Sequence, residues 1–251
     1  MSKYLVSIIQ AVKDWKEVDI QRFACSVSLQ PLAKRIQVVV VFSNNSPEFV
    51  MNNHAQNIGN VKYIKDTPNG VYKAYEAGVA NADGDYIIFC GGDDFFMPGL
   101  SKALSDVLLA VTPQPDLIAA NVCFGDSRLL KPSKTKFGMV MRNWCQQGVI
   151  YRRSIFDQFH FDGSYRIQAD HKFNIEIIGS GIFIIHYTEL IVAYFSCGGV
   201  SQSQPDLNFR RDMPSIVSKN FGWHYGFICH LRKAAGYIYY GPPEKRFKVI
   251  K

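Results

Sequence analysis

Apolar residues along this chain fall into short blocks whose spacing switches between strand-like and helix-like periods, with polar or glycine-rich punctuation between them. Residues 4–10 form a brief apolar run that predicts a strand, and 14–29 set Val18, Phe23 and Val27 at helical spacing. Residues 36–42 are a nearly continuous β-branched run, the composition of a strand buried on both faces. The cluster Ser43-Asn44-Asn45-Ser46-Pro47 then predicts a loop at that strand's carboxyl end. Further strands are expected at 61–65, 85–90 and 116–122, with helices at 70–81 and 98–109. Val71, Ala74, Tyr75 and Gly78 supply the packing face of the first of these helices, and Pro98 suits the first turn of the second. Four or five strand–helix alternations within the first 122 residues argue for a mostly parallel sheet. Ligands of such sheets collect at the carboxyl ends of the strands.

Residues 125–141 break this pattern. Lys131, Lys134 and Lys136 stand beside Pro132 and Gly138, which predicts a mobile connection. The alternation resumes with a strand at 148–151, a short helix at 154–159, a helix at 169–178 and two closing strands at 182–186 and 190–195. A last helix is expected at 221–240, ahead of Gly241-Pro242-Pro243 and a basic end.

The charge balance separates a body from a tail. Of the net +7, residues 1–200 contribute +1 and residues 201–251 contribute +6, from nine Lys or Arg against Asp206, Asp212 and Glu244. The tail also carries nine aromatic residues, among them Trp223, Tyr225 and Phe227. Six scattered cysteines without a CxxC pair read as reduced thiols of a cytoplasmic protein. The apolar patch near the start is too short for a secretory signal, and no run is long enough to span a bilayer. No nucleotide-binding GxGxxG, Walker or GxSxG string occurs, which argues against NAD enzymes, P-loop NTPases and serine hydrolases.

The most informative string is DYIIFCGGDD, which delivers Gly91 and Gly92 and then Asp93 and Asp94 from the end of an apolar strand. Adjacent carboxylates repel, so a cation partner explains them, and hard oxygen ligands suit Mg²⁺ or Mn²⁺ bridging to substrate phosphates. The two glycines leave room for close approach of a substrate to the backbone. The bland alternative is a turn whose carboxylates cap the following helix.

The wider run DTPNGVYKAYEAGVANADGDYIIFCGGDD resembles the central signature of the family 2 inverting glycosyltransferases, of the bacterial surface-polysaccharide type. Gly70, Tyr72, Ala74, Gly78, Ala82, Gly84, Asp85, Tyr86, Ile87, Asp93 and Asp94 match that signature in order and spacing. VSII near the start, QGVIYRRSIF with FDGSYRIQADHKF, and the later FSCGGVS resemble the family's first strand, second half and closing segment. The resemblance covers roughly residues 4–201. It implies a GT-A, Rossmann-like α/β fold with a mostly parallel central sheet flanked by helices, followed by a helical, basic and aromatic C-terminal extension. A GT-A domain is expected at 1–201, with a nucleotide-sugar-binding half at 1–122 and an acceptor half at 123–201, and the extension at 202–251.

The same resemblance implies metal-dependent, inverting transfer of a sugar from a nucleotide-sugar donor to a glycan or lipid-linked acceptor. Asp93 and Asp94 fall on the metal ligands, with Mn²⁺ or Mg²⁺ as the cofactor. Ser43, Asn44, Asp66, Gly70, Tyr72, Gly92 and Asp93 fall on donor-binding positions, and Asp170 falls on the catalytic base. Read without the family, Asp170 is better taken as the N-cap of the helix through Phe173 and Ile177, and the resemblance reverses that preference. The departures lie in recognition: VVFSNNS puts Ser43 or Asn44 where relatives carry an acidic residue against the donor base, Glu76 replaces an Asn and Gln146 a His. A UDP-sugar is the first candidate donor, with the base left open by Ser43 and Asn44. A degenerate nucleotide-sugar-binding protein of the same fold is the alternative function. His171 could tune Asp170, and Arg152-Arg153 could reach a phosphate. The tail has three readings: peripheral contact of 221–251 with an anionic membrane at the inner face of the cytoplasmic membrane, packing on the body, or a homodimer interface. Nucleic acid is not an expected partner, because it leaves Asp93 and Asp94 unexplained.

Overall fold

Strand β2 (Ile36–Phe42) is buried at every position, and the pleat divides its side chains between two cores. Val38 and Val40 join one cluster with Ile8, Phe23, Leu100 and Leu104, while Val39 and Val41 meet Ala74 on the other face. Each such side chain removed from water contributes about 1.5–3 kcal/mol, so the continuous apolar run is what fixes this strand at the centre. The computed structural model describes residues 3–13, 15–44, 47–65, 70–108, 110–125, 128–196 and 205–240, apart from the side chains of Phe49 and 233–240.

Among the described residues one nine-stranded sheet forms. β3 (Asn60–Lys65), β2, β1 (Val6–Val12) and β4 (Tyr86–Cys90) are parallel neighbours in that order. β8 (Val149–Arg152) is antiparallel to both β4 and β6 (Leu117–Phe124), and β9 (Ile185–Phe195) lies parallel to β6. The short β5 (Phe95–Phe96) and β7 (Arg128–Leu130) pair antiparallel with β9 and β6 respectively. Six strands therefore run one way and three the other. The helices of this unit are α1 (Glu17–Ser28), α2 (Glu48–His54), α3 (Val71–Ala80) and α4 (Gly99–Leu108). α3 packs closely on β1 because Gly78 has no Cβ: one would meet the Ile9 side chain.

The chain divides into two units interleaved in sequence. The sheet unit holds residues 1–132, 144–160 and 183–196, and the second unit holds 133–143, 161–182 and 197–251. The expected cut between residues 122 and 123 lies inside β6. In the second unit, α6 (Ala169–Ser180) packs on α7 (Leu207–Phe221), α7 on α8 (Trp223–Tyr240), and α8 touches α5 (Lys136–Met141).

Several expectations are corrected. Residues 128–141 hold more order than a mobile connection. Arg128–Leu130 returns along β6 after Gly125, and Thr135 caps α5 by accepting from the Gly138 amide at 3.0 Å. The two closing strands are one strand, β9, with a shifted register around Asn121. The Asn121 side chain bridges that irregularity by donating to the Glu189 carbonyl at 2.8 Å. The short helix at 154–159 is a 3₁₀ turn over Arg153–Asp157. α2, β5 and α7 are additions to the predicted elements.

Candidate active site

The carboxyl ends of β1, β2, β3 and β4 share one edge of the sheet, since Val12 pairs with Phe42, Phe42 with Lys65 and Gln10 with Cys90. The Gly91–Asp94 turn leaves this edge directly after β4, closed by the Asp94 amide on the Gly91 carbonyl. Its two carboxylates have opposite surroundings. Asp93 is exposed, and among the described residues no cation forms an ion pair with it. Asp94 is 2 % exposed. Its Oδ2 accepts from the Gly91 amide at 3.1 Å and from Gln147 Nε2 at 2.6 Å, and its Oδ1 accepts from the Ser196 amide at 3.0 Å. Burial pushes the Asp94 pKa up to about 6; the Ser196 amide opposes the rise and the neighbouring Asp93 charge adds to it.

More donors hold the turn from the outside. Gln10 Nε2 and Trp15 Nε1 each donate at 2.5 Å, to the carbonyls of Gly91 and Gly92, and Ser196 Oγ donates to the Asp93 carbonyl at 2.7 Å. Gly91 has to be glycine, because a Cβ there would lie 2.7 Å from Asp94 Oδ2. Asp94 is thus the anchor of the turn, and Asp93 is the carboxylate the turn presents to solvent. A divalent cation fits this arrangement. No group of three His, Cys, Asp or Glu gathers among the described residues, and Asp93 and Asp94 are the carboxylates that would hold such an ion. Mg²⁺-type ions are held in that way, with substrate phosphates and water completing the shell.

The other positions expected to bind the donor lie just after β2 and at the start of α3 where they are described. The Ser43 and Asn44 amides continue the β1–β2 pairing onto the Val12 and Lys13 carbonyls at 3.2 and 3.3 Å, leaving Ser43 half-buried and Asn44 exposed. Gly70 caps α3 with a φ of 111°, a conformation L side chains rarely adopt. Tyr72 is buried in the first turn of that helix and meets the Tyr75 ring edge-on. Asp66 lies outside the described residues.

Asp170 belongs to the second unit, in the first turn of α6. Its Oδ2 accepts from Asn143 Nδ2 at 2.8 Å and its Oδ1 from the His171 amide at 2.9 Å. Asn143 is itself held by the buried Asn174 at 3.0 Å. The α6 cap position is Gln168, and the incoming amides of Ile167 and Gln168 go to Asp206 Oδ2 at 2.8 and 3.3 Å. Asp206 Oδ1 also accepts from the Phe209 amide at 3.1 Å and so caps α7. His171 points away from Asp170 into the core. Its Nε2 meets the Met139 carbonyl at 2.8 Å, a geometry that makes Nε2 the protonated nitrogen, and burial lowers its pKa to about 4.

Arg152 and Arg153 sit at the opposite edge of the sheet, where Arg152 pairs with Tyr86. Arg152 binds Asp116 at 2.8 Å and the carbonyls of Gln114 and Pro115, while Arg153 Nε donates to the Gly84 carbonyl. They line a cleft of about 290 Å³ there, remote in the sheet from Asp93. Glu76 meets His160 at 3.4 Å. Sequence reasoning missed Gln10, Trp15, Gln147 and Ser196. Gln10, a buried amide inside an apolar strand, and Gln147, in QGVIYRRSIF, were the available signals.

Residues 8–158, more than half of the chain, match the family model described as Glycosyl transferase family 2. The chain belongs to this family. A PGL/p-HBAD biosynthesis glycosyltransferase of Mycobacterium tuberculosis is 28 % identical over 176 residues, 66 % of this chain and 66 % of that protein. The chain thus matches just under two thirds of the length of such curated relatives. Among solved structures, TarS 1–349 of S. aureus in complex with UDP-GlcNAc has a TM-score of 0.69 at 14 % identity, covering 96 % of this chain and 77 % of that one. The mannosyltransferase PcManGT of Pyrobaculum calidifontis, in complex with GDP-Man and Mn²⁺, has a TM-score of 0.60 at 12 % identity, covering 95 % and 77 %. These likenesses establish the fold as the α/β GT-A fold expected from the sequence.

Proposed function

We propose that this family 2 chain transfers a sugar, with inversion, from a nucleotide-sugar donor to a hydroxyl of a glycan or lipid-linked acceptor, in the assembly of a surface polysaccharide or glycolipid. The observation that carries this reading is the Gly91–Asp94 turn, which holds Asp93 exposed at the carboxyl edge of four parallel strands. In this reading Asp93 holds a Mn²⁺ or Mg²⁺ ion with the donor diphosphate, and Asp94 fixes the turn rather than sharing the ion equally. Such an ion would stabilise the charge that develops on the departing diphosphate. The acceptor oxygen forms a bond to the anomeric carbon as the bond from that carbon to the diphosphate oxygen breaks, and the acceptor proton goes to a carboxylate. Asp170 is the carboxylate assigned this role, because it falls on the family's base, and the Asn143 side chain and the His171 amide orient its oxygens.

The donor complexes of TarS and PcManGT support a nucleotide-sugar substrate and leave two bases open. UDP-sugars come first, with Ser43 and Asn44 making neutral contacts to the base. The test is a donor screen by thermal shift and donor hydrolysis, with and without Mn²⁺, on the intact chain and on Asp93→Asn. Metal-dependent stabilisation by one donor class, lost in Asp93→Asn, supports the reading. Equal Mn²⁺-dependent turnover by the variant removes Asp93 from it, and donor binding without any turnover favours the degenerate alternative.

A further inference from the structure

The second unit leaves a row of large apolar side chains in water. On α8, Trp223, Phe227 and Leu231 follow one another at four-residue spacing, and each is more than half exposed, Trp223 at 78 %. Four residues is close to one helical turn, so the three project from one face. On α5, Phe137 is half exposed and Met141 lies one turn on, also exposed. Arg232 Nη1 donates to the Val140 carbonyl at 2.7 Å, which brings the middle of α8, next to Leu231, to the Met141 end of α5. Scattered exposed apolar residues need no explanation, but five on two touching helices are a surface with a use.

Charge identifies the partner. Residues 133–143 and 223–240 contain Lys134, Lys136, Arg142, Arg232 and Lys233 and no Asp or Glu. Lys134, Lys136, Arg142 and Arg232 are exposed, as are His224 and His230 on α8. Asp212, the one acidic residue of α7, is held by Arg211 at 2.7 Å and by Tyr165. Two segments with exposed Trp and Phe, exposed cations and no carboxylate of their own match the interface of an anionic bilayer: indole and phenyl rings settle at headgroup depth while the cations meet lipid phosphates. No helix among the described residues is long and apolar enough to cross a membrane, so the fit is to lying on the surface.

We infer that the α5–α8 face of the second unit docks on an anionic lipid surface, with Trp223, Phe227 and Leu231 entering the headgroup layer. The inference is separable from the transfer reaction, because lipid binding is read without donor or acceptor. Docking and transfer therefore fail independently.

The experiment uses the intact chain with vesicles of phosphatidylcholine alone and of phosphatidylcholine with an equal share of phosphatidylglycerol. Co-flotation should occur with the anionic vesicles and weaken as salt is added. The triple variant Trp223→Ser, Phe227→Ser, Leu231→Ser should lower the bound fraction roughly tenfold or more, since it removes most of the inserting area. These side chains are exposed, so the variant should keep the wild-type melting midpoint. A second measurement needs no variant. Trp15 and Trp144 are buried, so a blue shift of tryptophan emission on adding anionic vesicles reports Trp223 leaving water. Absence of flotation with anionic vesicles overturns the inference, as does binding that the triple variant leaves unchanged. So does a concentration-dependent dimer that the variant dissolves without any vesicle binding, which would assign the face to a second copy of the chain.

Discussion

Gln147 donates to Asp94 at 2.6 Å across 53 residues of sequence, and through that bond a 3₁₀ turn before β8 sets the carboxylate that anchors the turn after β4. A hydrogen bond to a charged group is worth about 1.5–3 kcal/mol. Gln147→Ala is expected to lower the unfolding free energy by about that much and to weaken donor capture as the turn loosens. Gln147→Glu should be worse than the alanine, because it sets a second carboxylate against a buried one. Thermal melts and donor titrations on both variants check the ranking.

The two aspartates of the turn should part in mutagenesis. Asp93→Asn should leave the melting midpoint within a degree or so, since its carboxylate faces solvent, while metal-dependent donor binding is lost. Asp94→Asn places an NH₂ group against at least one N–H donor that the carboxylate now satisfies. It should cost about 1–3 kcal/mol of stability. Urea unfolding of the pair measures the difference, and equal losses of stability would contradict the division of roles.

Asp170→Asn keeps the shape and removes the proton acceptor. Under the base reading kcat falls by about 10²–10⁴ while donor affinity stays within a few-fold. The α6 cap lies at Gln168 and Asp206 serves the incoming amides, so the substitution should barely move stability. A near wild-type rate in single-turnover assays would remove Asp170 from the chemistry.

Asp206→Ala removes the acceptor for three amides at once, those of Ile167, Gln168 and Phe209. Because the residue is buried, the loss should exceed an ordinary cap, at about 2 kcal/mol or more. Calorimetry on this variant beside Asp206→Asn, which keeps one acceptor oxygen, tests the assignment.

His171 gives a pH signature. Its folded pKa of about 4 lies below the ordinary value of 6.5, so between those limits the unfolded chain binds the additional proton. Its share of stability is complete above about pH 6.5 and is lost as pH falls toward 4, on the order of 3 kcal/mol in all. His171→Gln should flatten the stability profile in that window, as measured by urea midpoints at several pH values.

The sheet was legible where one signal sufficed. Residues 36–42 are apolar on both faces, and a strand is the element that buries such a run whole. α3 followed from Val71, Ala74, Tyr75 and Gly78; the last three are buried as expected, while Val71 is exposed and Tyr72 packs in its place. α7 was hidden because Pro214 stands inside it, where a proline normally ends a helix; here it is buried and the helix continues to Phe221. β9 was read as two strands because Glu189 and Thr188 interrupt its apolar pattern, and the bond from Asn121 that carries the strand through lies 68 residues away. Asp93 and Asp94 were found as a pair, but nothing local distinguishes them. Their difference depends on Gln147 and Ser196, whose bonds to Asp94 no spacing rule anticipates.

The turn that presents Asp93 owes little of its shape to its own neighbourhood. Its outside partners lie 53, 77, 81 and 102 residues away, on three separate stretches of chain. Closing loops of that length costs chain entropy, and no segment local to the turn supplies these bonds. During folding, then, the family signature exists as sequence before it exists as a site. The Gly91–Asp94 loop has its full set of partners only where β9 is in place to deliver Ser196, so a chain without that strand carries both aspartates and lacks two of the bonds that hold the turn.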